Sequence, residues 1–351
     1  MSDPLWQVMS EGAAIVTPDV LQPSDVLLDL YGEDIRARAY VTQDPVLGEM
    51  MLRPDFTVPI VQAHMAGGVE PARYAYQGKV WRKQNATSQR PREYAQIGFE
   101  VFDSSDPATA DAEVFDRVIR ALSKTVDANA MKVTVGDVAL MRGAVASLET
   151  SQLRKGALMR HLWRPARFNR LIARYAGELD LPVGRETLPK ASVLQAIIAA
   201  GPEIGLRSAA DVATRIDRLV EDRTQPKIPE KQIAALRSLQ SLDVPLDQAV
   251  DEIAPLATHL PQLSGAADRL KATSDALSAK NIDLTRISFQ GTYGLTAMEY
   301  YDGFVFGISI EDRLVATGGR YDALTDVLGD GSKMAAVGAV IRPDLLVEAV
   351  T

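Results

Sequence analysis

Between Tyr94 and Phe102 the segment YAQIGFEVF alternates without a break: Ala95, Ile97, Phe99 and Val101 fall on one face, Gln96, Gly98 and Glu100 on the other. Only an extended strand with one face in a core satisfies this pattern. Its natural partner is Tyr74 to Lys83 (YAYQGKVWRK), joined to it by the polar loop Gln84 to Pro91 (QNATSQRP). The polar face is chemically specific. Gly98 removes bulk between an amide and a carboxylate, which predicts a shallow trough there. A carboxylate on a central strand is costly unless it meets a cation or an N–H donor. Two readings stand equal: a pocket for a polar, amine-bearing small molecule, or a structural ion pair between Glu100 and a nearby arginine.

The charge around this pair is unusual for the chain. Six cations (Arg73, Lys79, Arg82, Lys83, Arg90, Arg92) and no acid lie between Arg73 and Arg92, although Lys plus Arg number 38, Asp plus Glu 46, and the net charge is −8. Such a cluster favours a phosphate, a carboxylate or an acidic partner surface. A solvated loop is an equal alternative for Lys83, Arg90 and Arg92. Arg82 differs, since a regular strand puts it on one face with Gly78 and Tyr76. A net anion is poorly suited to generic nucleic-acid or anionic-membrane binding. Cysteine does not occur, which excludes disulfides, Cys-ligated zinc, iron–sulfur clusters and thiol nucleophiles. His64, His161 and His259 are too scattered for a His-rich metal site, and no Walker A, GxGxxG, HExxH or GxSxG pattern occurs. No cofactor and no metal are therefore expected. The beginning of the chain, MSDPLWQVMSEG, has no basic head with an apolar run behind it, and no apolar stretch approaches the ~20 residues of a membrane helix. The expected location is the cytoplasm, without membrane association.

Along the chain, Pro23 to Tyr31 and Phe56 to Met65 read as helices, and Arg36 to Thr42 and Glu49 to Arg53 as short strands. Asp106 to Val126 reads as a capped amphipathic helix and Met131 to Val135 as a strand. From there to about Lys280 helical patterns alternate with Pro and Gly punctuation. Leu284 to Phe289 is again strand-like. Leu295 to Tyr301 and Phe304 to Ile310 flank Asp302–Gly303, a strong hairpin signal. Leu314 to Thr317, a short helix and Ala335 to Ile341 complete the pattern. The expected class is α+β, an antiparallel sheet flanked by helices and interrupted by an insertion, with a core divided into residues 1–137 and 281–351 by a mostly helical stretch, 138–280.

Four elements carry a resemblance to a known family. Arg82, the polar loop with Arg90 and Arg92, and Gln96-Ile97-Gly98-Phe99-Glu100 resemble motif 2 of the class II aminoacyl-tRNA synthetases in its histidyl form. Leu52-Arg53-Pro54-Asp55-Phe56-Thr57 resembles the upstream LRPEGT element. Glu299-Tyr300-Tyr301-Asp302-Gly303 resembles the RGLDYYTG histidine motif, and Thr317-Gly318-Gly319-Arg320-Tyr321-Asp322 through Ala336-Val337-Gly338 the element that follows it. The resemblance implies a histidine pocket: Asp55 and Thr57 with Gln96 on the α-ammonium, and Glu100 and Tyr301, beside Tyr300, on the imidazole. It also implies Arg82 on an anion, the ligand carboxylate or a phosphate, and Arg90, Arg92 and Tyr321 as further candidates for the histidine site. Two departures matter. Thr296 stands where a synthetase keeps the arginine that works on the carboxylate and α-phosphate. Leu345 stands at the nucleotide-holding arginine of motif 3; Arg342 is close, but in the wrong register. Adenylate chemistry depends on such cations, and no anticodon-binding domain is expected after the core.

A synthetase-like core with a histidine pocket and without the nucleotide machinery resembles the ATP phosphoribosyltransferase regulatory subunits best. That resemblance implies a non-catalytic subunit acting in the first step of histidine biosynthesis. It also implies hetero-oligomers with a separate short-form catalytic subunit, homodimeric self-association, and L-histidine as the feedback effector. No nucleic-acid partner is expected. The alternatives are a minimal histidyl-tRNA synthetase core that adenylates histidine, and a tRNA- or partner-binding module on the same fold.

Overall fold

The computed structural model describes residues 3–85, 88, 91–180, 182, 193–199, 201–202, 207–295, 300–329 and 331–350. Twelve strands occur among them: β1 (Ala14–Ile15), β2 (Leu21–Pro23), β3 (Val41–Asp44), β4 (Gly48–Leu52), β5 (Ala72–Trp81), β6 (Glu93–Phe102), β7 (Lys132–Asp137), β8 (Asp243–Pro245), β9 (Ile287–Gln290), β10 (Phe304–Ile310), β11 (Arg313–Arg320) and β12 (Ala336–Ile341). Nine form one sheet in the order β1-β5-β6-β12-β11-β10-β7-β9-β8, and β2-β4-β3 form a small second sheet.

The β5–β6 pair is antiparallel over ten residues, from Ala72 opposite Phe102 to Trp81 opposite Glu93. On its other side β6 pairs with β12, which puts Gly338 directly across from Glu100 and Val340 across from Gly98. The alternating strand is thus central. Its apolar residues Ile97, Phe99 and Val101 are all buried, each worth ~1.5–3 kcal/mol. The sheet is antiparallel through its middle, but β1 joins β5 and β9 joins β7 in parallel. The class is α+β. Residues 138–280 contain helices and the short β8, which extends the sheet edge against β9.

The helix Pro107–Leu122 covers one side of the sheet. Asp106 caps it, accepting from the Thr109 backbone N–H at 3.1 Å, and proline opens its first turn. Its inner stripe of Val114, Phe115, Val118 and Leu122 is buried, with Phe115 edge-on to Phe306 at 5.0 Å. No described helix is long and apolar enough to cross a membrane.

Two local expectations need correction. Asp302–Gly303 is not a hairpin turn. Asp302 instead accepts from the backbone N–H groups of Asp322 (3.1 Å) and Ala323 (2.6 Å), so it serves the helix Asp322–Leu328 from a distance. The hairpin lies at Glu311–Asp312, between β10 and β11, where both residues have positive φ (47° and 63°) as a two-residue turn requires. The strand expected at Arg36 to Thr42 begins only at Val41; Gly32–Ala37 is a 3-10 helix.

Candidate functional site

Register decides which side chains meet. The small sheet ends at Leu52 and delivers Arg53-Pro54-Asp55 beneath the helix Thr57–Met65. Arg53 anchors this entry: its Nε donates to the Lys79 carbonyl at 3.1 Å, and its guanidinium lies 4.0 Å from the Phe56 ring centre. Asp55 is buried and accepts from the Val58 N–H at 3.2 Å. On β6, Glu100 is 1% and Gln96 2% exposed. With Thr57, Arg82, Tyr300, Tyr301 and Tyr321 they line a single cavity.

Inside it, hydroxyls hold Glu100. Tyr321 donates to Oε2 at 2.7 Å, and Thr57 and Tyr76 donate to Oε1 at 3.0 Å each. Gly338 allows this placement, because a Cβ there would fall 1.4 Å from Oε2. Burial outweighs the three hydroxyls and pushes the Glu100 carboxyl up to about 7. Burial also raises Asp55, with Arg82 opposing. Gln96 Oε1 is buried with no hydrogen-bond partner, an acceptor that a donor-rich ligand would complete. Tyr300 stands edge-on to Tyr301 and Tyr321, with ring centres 5.0 and 6.0 Å apart.

The trough expected over Gly98 is filled. A Cβ at that position would meet the Tyr76 ring at 2.1 Å, so the glycine makes room for Tyr76, whose hydroxyl supports Glu100. The cation cluster is largely dispersed as well. Arg73 pairs with Glu113 at 2.7 Å, Lys79 with Glu93, and Lys83 donates to the Arg36 carbonyl at 3.1 Å. Arg92 is exposed and does not line the cavity, its own carbonyl accepting from the Arg82 N–H. Arg90, Thr296 and Glu299 lie outside the described residues.

One residue set aside in the sequence belongs here. Arg342 lines this cavity and also an adjoining one of about 840 Å³; both share Arg82, Tyr301 and Thr317. Its guanidinium donates to Thr317 Oγ1 at 3.0 Å and to the Leu314 carbonyl at 3.3 Å, and no acid among the described residues pairs with it. Burial, then the like charge of Arg82, pull it below the usual arginine range. The signal was the period of two along β12: Gly338, Val340 and Arg342 share a face, and Gly338 is opposite Glu100. Leu345, at the motif 3 position, packs half-buried against the hydrophobic core.

The arrangement offers acceptors at one end (Asp55, Gln96, Glu100), phenols beside them, and two guanidinium groups toward the wider cavity. Its donors and acceptors match a small zwitterion with an additional polar ring or side chain, while the cavity itself encloses about 30 Å³, so side chains must move to admit one. Comparison with known proteins agrees in family. The histidyl-tRNA synthetase family model matches residues 5–346. A protein of Allorhizobium ampelinum described as an ATP phosphoribosyltransferase regulatory subunit is 30% identical over 94% of this chain and 91% of its own. One of Brucella anthropi with the same description is 27% identical over 95% and 92%. Among solved structures, an ATP phosphoribosyltransferase regulatory subunit/histidyl-tRNA synthetase from Bacillus halodurans superposes with a TM-score of 0.68 at 22% identity, covering 99% of this chain and 78% of that one. A histidyl-tRNA synthetase from Nostoc sp. PCC 7120 gives 0.63 at 16% identity, with 99% and 69% covered. The class II synthetase-like core, its motif elements and these relatives together show that the chain belongs to the histidyl-tRNA synthetase family, among the ATP phosphoribosyltransferase regulatory subunits.

Proposed function

We propose that this chain is a non-catalytic regulatory subunit that binds L-histidine in the Glu100 cavity and transmits feedback inhibition to a separate short-form catalytic subunit, in the first step of histidine biosynthesis. The observation that carries the reading is the unpartnered, buried Gln96 Oε1 in a cavity that also holds the buried carboxylates Asp55 and Glu100. An α-ammonium supplies N–H donors to Gln96, Asp55 and Thr57. The imidazole N–H groups face Glu100 and the phenols of Tyr300 and Tyr301. The carboxylate falls to Arg82 and Arg342, whose charges otherwise face each other without an acid at Arg342. For histidine to inhibit, it must prefer the inhibited arrangement; couplings of this kind run to ~1–3 kcal/mol.

Calorimetric titration of the chain with histidine tests the pocket, and Asp55→Asn is expected to weaken binding at least ~10-fold. Inhibition of the reconstituted complex that is unchanged by Asp55→Ala or Glu100→Ala would sink the assignment. The remaining parts of the reading follow the same proposal. The core is formed by residues 1–137 and 281–351, whose strands β7 and β9 run side by side, with 138–280 inserted. Self-association as a homodimer is supported by exposed Leu21, Val41, Val46 and Leu47 on the small sheet and its turn. The location is cytoplasmic.

Histidine adenylation is a second reading, favoured by one feature: Arg342 adds a cation to Arg82 beside a cavity large enough for a nucleotide. Pyrophosphate exchange into ATP, driven by histidine, separates the two. The regulatory reading expects none.

A further inference from the structure

A second large concavity lies among the helices Gln152–Arg160, Pro165–Tyr175 and Ala209–Thr224 and encloses about 1180 Å³. Between residues 150 and 177 the sequence holds seven cations and no acid, within a chain of net charge −8. Helical spacing gathers them: Arg167, Arg170 and Arg174 recur at three and four residues, opposite the buried Phe168, Ile172 and Tyr175. With contributions from the facing helix and the residues before it, seven arginines line the groove. Arg160, Arg167, Arg170, Arg215 and Arg218 make no ion pair among the described residues. The two acids that reach the groove are engaged elsewhere. Asp222 is bound by Arg154 at 2.6 Å, and Asp211 accepts from the Ser208 hydroxyl at 2.7 Å in a capping box. His161 also lines the groove, its buried Nδ1 without a hydrogen-bond partner.

A solvated basic face is convex and lets its cations diverge. Here they come from separate helices and converge on one hollow, where mutual repulsion disfavours the empty state. Guanidinium forks match phosphate oxygens two at a time, and a concavity of this size suits a small molecule better than a flat protein face. We infer that this groove is a binding site for a small ligand carrying two or more linked phosphate groups, of the nucleoside di- or triphosphate class. The site is separate from the Glu100 cavity and independent of histidine.

Titration of the full chain with sodium tripolyphosphate at low ionic strength tests this. The expected result is saturable 1:1 binding that weakens with added salt. Arg170→Gln combined with Arg218→Gln should lower the affinity ~10-fold or more, with an unchanged melting temperature because both side chains are exposed. Arg342→Gln, in the other cavity, should leave it intact. Absence of saturable binding, equal affinity in the double variant, or loss confined to Arg342→Gln overturns the proposal. A short single-stranded RNA held far more tightly than tripolyphosphate through Arg170 and Arg218 also overturns it, in favour of RNA.

Discussion

Two buried carboxylates lie close to the same sheet and differ in what completes them. Asp111, on the helix Pro107–Leu122, meets Arg320 at the end of β11: Nη2 reaches Oδ1 at 2.7 Å and Nε reaches Oδ2 at 3.3 Å. Arg320 is then finished by Asp322 at 3.0 Å and the Pro107 carbonyl at 2.6 Å, and Thr273 adds a hydroxyl to Asp111 at 3.2 Å. Among the described residues Glu100 has three hydroxyls and no cation, and Gln96 in the same cavity has an acceptor without a donor. A completed polar cluster holds elements together. An incomplete one costs stability, and its unmet groups are where added donors would gain most. The ion pair with an arginine near motif 2, one of two readings of Glu100 from the sequence, is replaced by hydrogen bonds from the hydroxyls of Tyr321, Thr57 and Tyr76.

The largest expected effect falls on the completed cluster. Arg320→Ala leaves Asp111 buried and unpaired and should cost ~3–5 kcal/mol, read as a fall in the urea midpoint. An unchanged midpoint would erase the distinction between the two sites. At the other cluster the sign reverses. The Glu100 carboxyl, at about 7 in the fold against an ordinary 4.5, favours the folded state only while protonated. Its contribution therefore turns unfavourable as pH rises from 4.5 through 7. Glu100→Gln should accordingly be more stable than the parent by up to ~3 kcal/mol at pH 8, and by little at pH 4.5. Asp111 and Asp137, raised to about 6 and 7 by burial, titrate in both proteins and drop out of the difference. Gly98→Ala forces Tyr76 off Glu100 and should cost ~1–3 kcal/mol in thermal unfolding. The smallest effect is expected for Gln96→Leu: neutral, or stabilising by ~1 kcal/mol, with histidine affinity greatly reduced by calorimetry. Lost stability together with retained affinity would break the comparison from the other side.

The sequence was most informative where a pattern is local. The period of two in β6 placed Glu100 and Gln96 on one face and Phe99 on the other, as found. Capping chemistry placed the start of the helix Pro107–Leu122, which begins directly after Asp106. Misreadings came where a local signal had a distant use. Asp302–Gly303 carries hairpin chemistry, yet Asp302 spends its oxygens on backbone N–H groups twenty residues on. The cations near motif 2 looked like a patch, but Arg73 and Lys79 are paired with Glu113 and Glu93. The longer acid-free run between residues 150 and 177 carries no family motif, and only the helix packing shows that several of its arginines face one groove.

What the amino-acid order determined by itself was which residues could form a strand, a cap or a polar face, and which family its motif elements resemble; these depend on side-chain period and neighbours a few residues apart. Tertiary structure alone decided which polar groups were completed. It paired Arg320 with Asp111 across 209 residues, set Gly338 opposite Glu100, and turned Arg342 into the cavity. The physical reason is that the cost of a buried charge depends on every atom around it, and that surrounding exists only once the sheet has closed.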